Sequence, residues 1–362
     1  GEYMTILYIT AFPPNSRSGG QAFSKNCIEH LSSRFSVDVV YFSYPEHECV
    51  SFDKVQNIKE FHPSAKNIFF HPFIFPLFTK RINPRILKYL KEIAPKYDVL
   101  YFDFTQVALY SLYIKHPCKI VRCHDIMAQK FSRKGKFFRS WIKGTERKIL
   151  NSVEYVFVPS KKDSEIVLHE YGIKAEYTNE YLHDFTFPSA IEDKKSFLFF
   201  GLWSRKENLD GLVWFIKDVF PLLKENIKNS LFVMGGGLSK ETHEIYLKPN
   251  KINYLGFVED CYARIVQSSA VIVPLFTGAG VKVKVLDSFT TGTPVIGTDV
   301  AFEGIPEISG LTNLVVSAED FAAKMNNFVS CSLEQKISNA NEFRKIYDNN
   351  HLDDRIQEIF KN

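Results

Sequence analysis

The sequence predicts an α/β fold made of two doubly wound, Rossmann-like domains. Short apolar segments alternate with helical patterns along the chain, one glycine-rich turn follows the first predicted strand, and another lies in the last third. A chain of 362 residues has room for two separate cores. Hydrophobic residues make up 45% of it and charged residues 24%, as in a globular protein.

The N-terminal half opens with a βαβ unit. Strands are predicted at 5–10 and 37–42, with a helix at 22–33 between them. Gly19 and Gly20 precede the helix, so its N-terminus is expected at the carboxyl edge of the sheet, where such domains bind ligands. A flexible surface loop is the alternative. Further strands are predicted at 99–102, 119–123 and 154–159, a helix at 106–114, and a capped helix after Ser160.

A loop-like segment at 183–195 is interpreted as the interdomain linker. After it, strands are predicted at 196–201, 231–237, 254–258, 270–276 and 295–296, with helices at 209–223 and 334–361. The last helix is expected to break near 348–350. The predicted domains are therefore 1–185 and 186–340, followed by a C-terminal segment at 341–362.

The most informative segment, residues 278–298, combines a glycine turn, a short basic helix and a buried strand. Gly278 and Gly280 let the backbone approach a ligand closely. The helix is predicted to open near Val281, with unpaired N–H groups pointing at the turn, and to stop at Gly292. This arrangement predicts an anion site.

Charged side chains strengthen that prediction. Lys282 and Lys284 fall in the first helical turn, where the helix dipole disfavours cations, so a bound anion would relieve a local conflict. Gly280, Lys284 and Asp287 are spaced to share one helix face, which would suit a phosphate next to vicinal hydroxyls. The alternative is an ordinary helix with solvated lysines.

In this order, the C-terminal elements resemble those of the retaining, nucleotide-sugar-dependent glycosyltransferases of family 4, also called glycosyl transferases group 1. The resemblance covers most of the chain. It rests on a strand ending in Gly201, a basic loop at 203–208, a helix, a strand running to Gly237, the Leu-Gly-Phe-Val segment at 255–258 and the donor loop. It implies the GT-B fold, with two Rossmann-like domains facing a cleft and a C-terminal helix crossing back to the N-terminal domain.

The chain departs from the family pattern in the donor loop. Family members commonly carry two glutamates eight residues apart; here Ala279 takes the first position and Asp287 the second. The loop resembles the variant form Gly-x-Gly-x-Lys-x-Lys, in which lysines and backbone amides take over part of the role. The donor-binding residues that the resemblance implies are Gly19, Gly20, Gly201, Gly235, Phe257, Val258, Gly278, Gly280, Val281, Lys282 and Asp287.

The resemblance also implies four catalytic residues: His124, Arg205, Lys206 and Lys284. The basic side chains would stabilise the departing diphosphate, which is the main task in this reaction, and Asp287 would accept hydrogen bonds from ribose hydroxyls. His124, at a predicted strand end, would contact the donor sugar; a structural histidine is the alternative. His124 and Asp125 are not expected to form a dyad, because adjacent strand-end side chains diverge. For Phe257 and Val258 the alternative is a plain core role.

The sequence predicts neither a metal nor a cofactor, with the nucleotide-sugar as a substrate. The six cysteines form no Cys-x-x-Cys pair or zinc spacing, so reduced thiols in a cytoplasmic protein are expected. No apolar run reaches 18 residues, no signal peptide is recognised, and the three residues before Met4 are interpreted as an artificial extension.

One basic segment is a candidate membrane contact. Residues 129–148 contain eight basic residues, four aromatics and one acid, which is typical of a segment lying on an anionic bilayer. Residues 130–148 are therefore predicted to contact the inner face of the cell membrane peripherally. The alternative is a solvated basic face over a helix that packs inward through Phe138, Trp141, Ile142, Thr145 and Ile149. Nucleic acid fits poorly, because the net charge is only +4 and no recognition motif is present.

The predicted function is transfer of a hexose-like sugar, with retention, from a nucleotide-sugar to a glycan or lipid-linked acceptor in bacterial surface polysaccharide synthesis. Two alternatives stay open. A nucleotide-sugar epimerase or hydrolase of the same architecture would turn over the donor without an acceptor. A catalytically silent nucleotide-sugar-binding subunit would bind the donor without turnover.

Overall fold

A computed structural model describes residues 4–15, 19–45, 47, 50–131, 135–178, 185–347 and 350–361. The chain divides into two compact units, one formed by Gly1–Leu182 with Asp348–Asn362 and the other by His183–Tyr347. None of the helices in the described ranges combines the length and the apolarity needed to cross a bilayer.

The first unit is built on a parallel sheet. Its described strands are β1 Thr5–Thr10, β2 Ser36–Phe42, β3 Ile58–Phe61, β4 Val99–Asp103, β5 Lys119–Arg122, β6 Tyr155–Val158 and β7 Glu176–Tyr177. They are ordered β3-β2-β1-β4-β5-β6-β7, so the winding direction reverses between β1 and β4. That reversal is where open α/β sheets leave a crevice for ligands.

The helices of the first unit cover both faces of this sheet. Those described before residue 178 are α1 Gly19–Ser32, α2 Pro76–Thr79, α3 Pro84–Ile93, α4 Met127–Lys130, α5 Lys136–Asn151 and α6 Lys161–Tyr171, with 3-10 turns at Ala65–Phe70, Ala94–Lys96 and Ala108–Leu112. Strand β1 shows the layering, because Leu7 and Ile9 belong to one hydrophobic cluster while Ile6 and Tyr8 belong to another on the opposite face. Burial on both faces explains why the strand is apolar almost throughout.

The second unit repeats the design. Its described strands are β8 Phe197–Phe200, β9 Leu231–Met234, β10 Asn253–Gly256, β11 Ala270–Val273, β12 Val295–Gly297 and β13 Thr312–Leu314. All are parallel, in the order β10-β9-β8-β11-β12-β13, with the reversal between β8 and β11. This is the strand order of a nucleotide-binding Rossmann domain.

The helices of the second unit are α7 Lys206–Trp214, α8 Glu225–Lys228, α9 Lys240–Thr242, α10 Cys261–Gln267, α11 Val283–Thr290, α12 Ala318–Asn326 and α13 Leu333–Ile346. Helix α7 runs on through a π turn at Phe215–Val219 and a 3-10 turn at Phe220–Leu222, and a second π turn spans His243–Leu247.

The last helix, α14 Asn350–Lys361, belongs to the first unit. Its Leu352 and Ile356 are fully buried in the hydrophobic cluster that contains Ile28 of α1. Its Arg355 holds Glu176 of β7 through two hydrogen bonds of 2.7 Å. The predicted interruption of the final helix falls between α13 and α14.

Two local predictions are wrong. Residues 106–114 do not form an α-helix; the chain there makes a 3-10 turn at Ala108–Leu112. Helix α11 begins at Val283 rather than near Val281, because Gly280 has φ +79° and Lys282 is still extended as the N-cap residue. Gly280 therefore lies outside the helix, and only Lys284 and Asp287 share a helical surface.

The end of α11 provides a test of the fold. Gly292 has φ +68°, and a Cβ there would lie 1.8 Å from the carbonyl oxygen of Lys336 in α13. We expect Gly292→Ala to lower the free energy of unfolding by roughly 2 to 5 kcal/mol, since it combines left-handed strain with steric overlap. Urea denaturation measures this. Gly144→Ala is the control, because a Cβ there meets no atom within 4 Å; equal stabilities of the two variants would contradict the packing described.

Candidate functional site

In the first unit, polar side chains meet where the central strands end. Asp103 is the last residue of β4, and His124 follows β5. The Nε2 atom of His124 lies 2.6 Å from Oδ1 of Asp103. The other carboxylate oxygen of Asp103 accepts hydrogen bonds from Ser24 of α1 and, at 2.9 Å, from Thr10 of β1. Four elements thus converge on one carboxylate at the strand-order reversal.

The surroundings keep this carboxylate ionised. Asp103 is fully buried, and burial alone would raise its pKa. The charge of His124 and the hydrogen bonds from His124 and Ser24 outweigh burial and hold the pKa below its ordinary value. An ionised carboxylate only accepts hydrogen bonds, so Nε2 of His124 carries the proton. Its Nδ1 atom has no hydrogen-bond partner among the described residues.

Aromatic rings fix the plane of His124. The ring of Phe104 stacks on the imidazole with centroids 3.8 Å apart, and Phe23 meets it edge-on at 5.3 Å. Phe104 has φ +76°, a left-handed conformation that is strained for a bulky residue. A Cβ on Gly20 would lie 3.1 Å from the Phe104 ring. Gly20 therefore lets α1 approach this stack, and the neighbouring Gly19 is the first residue of α1.

Sequence reasoning missed Asp103. Asp125 is not the partner of His124; it pairs instead with Lys130 at 2.7 Å, in agreement with the expectation that His124 and Asp125 diverge. A carboxylate ending an otherwise apolar strand was the available signal, because such a group must find partners at the sheet edge.

In the second unit, glycines bring backbone segments into contact at the strand ends. Gly201 follows β8 and Gly235 follows β9. Gly235 has φ +118°, and a Cβ on it would lie 2.0 Å from the carbonyl oxygen of Gly201. No other residue type fits there without moving one of the two loops. These predicted donor-binding positions thus shape the edge of the sheet.

The amine of Lys284 lies over Gly201. A Cβ on Gly201 would come within 2.8 Å of Lys284 Nζ and 3.0 Å of the Asn208 amide. Lys284 Nζ donates to Oδ1 of Asn208 at 2.8 Å, and Nδ2 of Asn208 donates to the carbonyl of Leu202 at 2.9 Å. Asn208 therefore fixes the amine above the end of β8. Sequence reasoning missed this residue, since it shows no charge or glycine signal.

The surroundings of Lys284 change the pKa of its amine. Burial of the amine, with Arg205 and Lys282 nearby, lowers the pKa of Lys284 to about 8, and Glu207 offsets part of this effect. A cation held in such surroundings is stabilised by an anion. Lys284 is thus the predicted site residue with the clearest anion-binding character.

In the donor loop, the position of Lys282 and the start of α11 differ from the prediction. Lys282 caps the N-terminus of α11 without a side-chain hydrogen bond to the helix, and its Nζ donates to the carbonyl of Gly280 at 2.7 Å. A Cβ on Gly278 would meet the Lys282 side chain at 3.4 Å. Gly280 and Val281 therefore belong to the loop, and the N-terminal N–H groups of α11 are those that begin at Val283.

Asp287 lies one turn further along α11. Its Oδ1 accepts a hydrogen bond of 2.8 Å from the hydroxyl of Tyr262 in α10. This contact holds the carboxylate at the surface of the helix that also carries Lys284. Tyr262 was not identified from the sequence.

Three of the remaining predicted residues, Arg205, Lys206 and Phe257, are exposed. Lys206 pairs with Asp210 at 2.6 Å along α7, and Arg205 is the exposed N-cap residue of that helix. Phe257 is 68% exposed after the tight turn at Gly256, so the core alternative is wrong for it. Val258 is partly buried. Within the described ranges, no cluster of three His, Cys, Asp or Glu side chains is arranged to hold a metal ion.

Family models match both halves of the chain. The model described as Glycosyltransferase Family 4 matches residues 17–178, and the model described as Glycosyl transferases group 1 matches residues 194–331. The chain has the two domains of a GT-B glycosyltransferase. The contacts of Lys284 thus lie in the segment that the group 1 model matches, and the His124 network lies in the segment that the family 4 model matches.

Solved GT-B structures share this fold. Sucrose-phosphate synthase from Thermosynechococcus elongatus is 13% identical with a TM-score of 0.69, covering 99% of this chain and 98% of that one. HepE from Anabaena, solved in complex with UDP and glucose, is 12% identical with a TM-score of 0.67, covering 99% of this chain and 100% of that one.

A curated relative is an uncharacterized 44.6 kDa protein in the cps region of Klebsiella pneumoniae. It is 28% identical over 191 residues, which is 50% of this chain and 49% of that protein. The match thus spans about half the length of the relative.

The pKa of Lys284 generates a prediction for nucleotide binding. Because the pKa is lowered to about 8, the amine is mostly charged at pH 7 and loses its charge as the pH rises through 8. We expect the dissociation constant of a nucleoside diphosphate to rise about 10-fold between pH 7 and 9. Lys284→Met should bind more weakly and without this pH dependence.

Calorimetry at several pH values measures this effect, with the nucleoside diphosphate that gives the largest thermal shift. Lys248→Met is the control, since Lys248 is exposed and paired with Glu244. A Lys284→Met variant that binds the nucleoside diphosphate with wild-type affinity at pH 7 would rule out Lys284 as the phosphate ligand.

Proposed function

We propose that the protein transfers a sugar from a nucleoside-diphosphate-sugar to a glycan or lipid-linked acceptor, with retention of the anomeric configuration. The observation that carries the proposal is the partly buried Lys284 amine, held over Gly201 by Asn208 at the strand-order reversal of the group 1 domain. The UDP and glucose in the HepE structure support a nucleotide-sugar donor. The cps-region relative supports a role in bacterial surface polysaccharide synthesis.

In the proposed reaction the bond from the anomeric carbon to the diphosphate oxygen breaks, and the acceptor oxygen bonds to that carbon from the same face. The acceptor proton passes to the departing phosphate oxygen. Lys284, Lys282 and Arg205 stabilise the charge that grows on the diphosphate, together with the N-terminal N–H groups of α11. Asp287, positioned by Tyr262, accepts hydrogen bonds from the ribose hydroxyls. Lys206 contributes through its charge alone, because it is exposed and paired.

In this proposal, His124 contacts the sugar of the donor. With Nε2 bound to Asp103, it presents Nδ1 for a hydrogen bond with a donor hydroxyl. The stacked Phe104 ring keeps the imidazole in one orientation. Catalysis here depends on positioning rather than on a general base of the protein, since the acceptor attacks from the face of the departing diphosphate and gives its proton to that phosphate.

A donor screen followed by a transfer assay tests the function. Nucleotide-sugars are ranked by thermal shift, because a ligand at 100 times its dissociation constant stabilises by about 2.7 kcal/mol. The best donor is then incubated with and without lipid-linked glycan acceptors, and the product anomer is identified by NMR. An acceptor-dependent product with the donor configuration is expected. Donor breakdown or epimerisation without acceptor would favour the epimerase or hydrolase, and binding without turnover would favour a silent binding subunit.

We further propose that transfer needs no metal ion, because lysines and helix N–H groups supply the positive charge. Transfer in excess EDTA should equal transfer in excess Mg²⁺. Loss of activity in EDTA that Mg²⁺ restores would contradict this part of the proposal.

The Asp103 contact predicts a rate effect with little change in donor affinity. In Asp103→Asn the amide can donate to Nε2, which favours the other tautomer and turns the imidazole. We expect single-turnover transfer to slow on the order of 100-fold, as for other small misplacements of a catalytic group.

Asp125→Asn is the matched control, because Asp125 adjoins His124 but pairs with Lys130. Donor dissociation constants and circular dichroism are measured for both variants. A folded Asp103→Asn variant with the wild-type rate would show that His124 is structural.

A further inference from the structure

Two segments of the first unit contain no acidic residue. Residues 61–91 have six Lys or Arg and no Asp or Glu, and residues 126–145 have the same count. The first segment was not recognised as basic in the sequence. The structure places the two side by side, since the Trp141 indole of α5 donates to the carbonyl of Phe73 at 2.6 Å. The ring of Phe75 packs on Trp141 with centroids 5.2 Å apart.

Aromatic rings project from this joint surface. Phe69 is 84% exposed, Phe73 90% and Phe137 76%. Phe70 and Phe138 are about half exposed. We call these five residues the aromatic surface. The inward-packing alternative for α5 is wrong in part: Ile142, Thr145 and Ile149 pack inward, but Phe138 faces outward.

The charges near the aromatic surface fall into two groups. Arg139 and Lys143 both pair with Glu170 of α6, and these contacts hold the pKa of Glu170 below its ordinary value. The single negative charge of Glu170 therefore offsets one of these two positive charges. Lys66 and Lys136 are exposed and have no ion-pair partner among the described residues. Lys134, which also belongs to the basic segment, lies outside the described residues.

We propose that the aromatic surface docks onto a bilayer with anionic headgroups. The phenylalanines enter the boundary between headgroups and acyl chains, while Lys66 and Lys136 lie among the phosphates. Because these lysines flank the rings on both segments, the docking surface comprises the 3-10 turn at Ala65–Phe70 and the start of α5 rather than residues 130–148 alone.

The chemistry favours a bilayer over a protein partner. Protein interfaces are enriched in Tyr, Trp and Arg, whose polar atoms find fixed partners. Here the five rings of the aromatic surface are all phenylalanine, and the charges next to them in the sequence, Lys66 and Lys136, are lysines. Phe69 and Phe73 project almost fully into solvent, which suits insertion into a fluid phase better than contact with a complementary solid surface.

Vesicle flotation tests the proposal, with the full chain and vesicles of phosphatidylglycerol and phosphatidylcholine. We expect Phe69→Ser/Phe73→Ser to weaken partitioning about 10-fold or more, as expected for losing buried apolar area. The control is Val316→Ser/Val329→Ser, which removes two valines of similar exposure from the second unit. Equal flotation of the parent and the phenylalanine variant would overturn the proposal, as would a parent that does not float.

A separate vesicle experiment tests the contribution of the lysine charges. Lys66→Gln/Lys136→Gln should weaken binding to phosphatidylglycerol vesicles about 5-fold per lysine at low salt, and leave binding to pure phosphatidylcholine unchanged. Lys224→Gln/Lys240→Gln, from exposed positions of the second unit, is the control. Equal losses on both lipids would contradict headgroup recognition. The inference extends the acceptor part of the proposed function, but flotation uses neither donor nor acceptor, so either proposal can fail alone.

Discussion

The second unit depends on the lack of side chains where its central strands end. A Cβ on Gly235 would meet the carbonyl of Gly201 at 2.0 Å, and one on Gly211 would meet the carbonyl of Pro274 at 2.0 Å. These contacts let α7 and the loops after β8, β9 and β11 close on one another. The space that remains above Gly201 holds the Lys284 amine. The close backbone packing thus places a cation at the point where a Rossmann sheet offers room for a phosphate.

In the first unit, a carboxylate rather than a set of glycines organises the ends of the central strands. Asp103 ends a buried strand and must be hydrogen-bonded, because an unpaired buried charge is very costly. Its partners Thr10, Ser24 and His124 come from the neighbouring strands and from α1. The same requirement that stabilises the sheet edge therefore orients an imidazole there, and the strained Phe104 backbone completes the stack.

Most strands could be predicted from the sequence, because strands buried on both faces are continuous apolar runs; β1 is predicted to the residue. The geometry of the turns was harder to predict from the sequence. The spacing of Gly280, Lys284 and Asp287 fits a helix, but the positive φ of Gly280 delays the helix start, and composition does not reveal φ. The turn at Ala108–Leu112 has the apolar spacing of a helix without forming one.

The contacts between distant residues could not be predicted locally. Asp103 meets His124 only because β4 and β5 are neighbours in the sheet, and Asn208 meets Lys284 across 76 residues of sequence. The exposed rings could not be predicted either. The basic segment was visible in the sequence, but the phenylalanines of the Ala65–Phe70 turn join it through tertiary contacts such as that of Trp141 with Phe73. Sequence patterns thus identify the elements, and the sheet order decides which side chains meet.

The central claim is that Lys284 and the start of α11 hold the donor diphosphate. A crystal structure with the best-binding nucleoside diphosphate tests it most directly. We expect phosphate oxygens within about 3.2 Å of Lys284 Nζ and of a backbone N–H in the first turn of α11. A diphosphate bound through Arg205 and Lys206, with Lys284 still engaged only by Asn208, would contradict it.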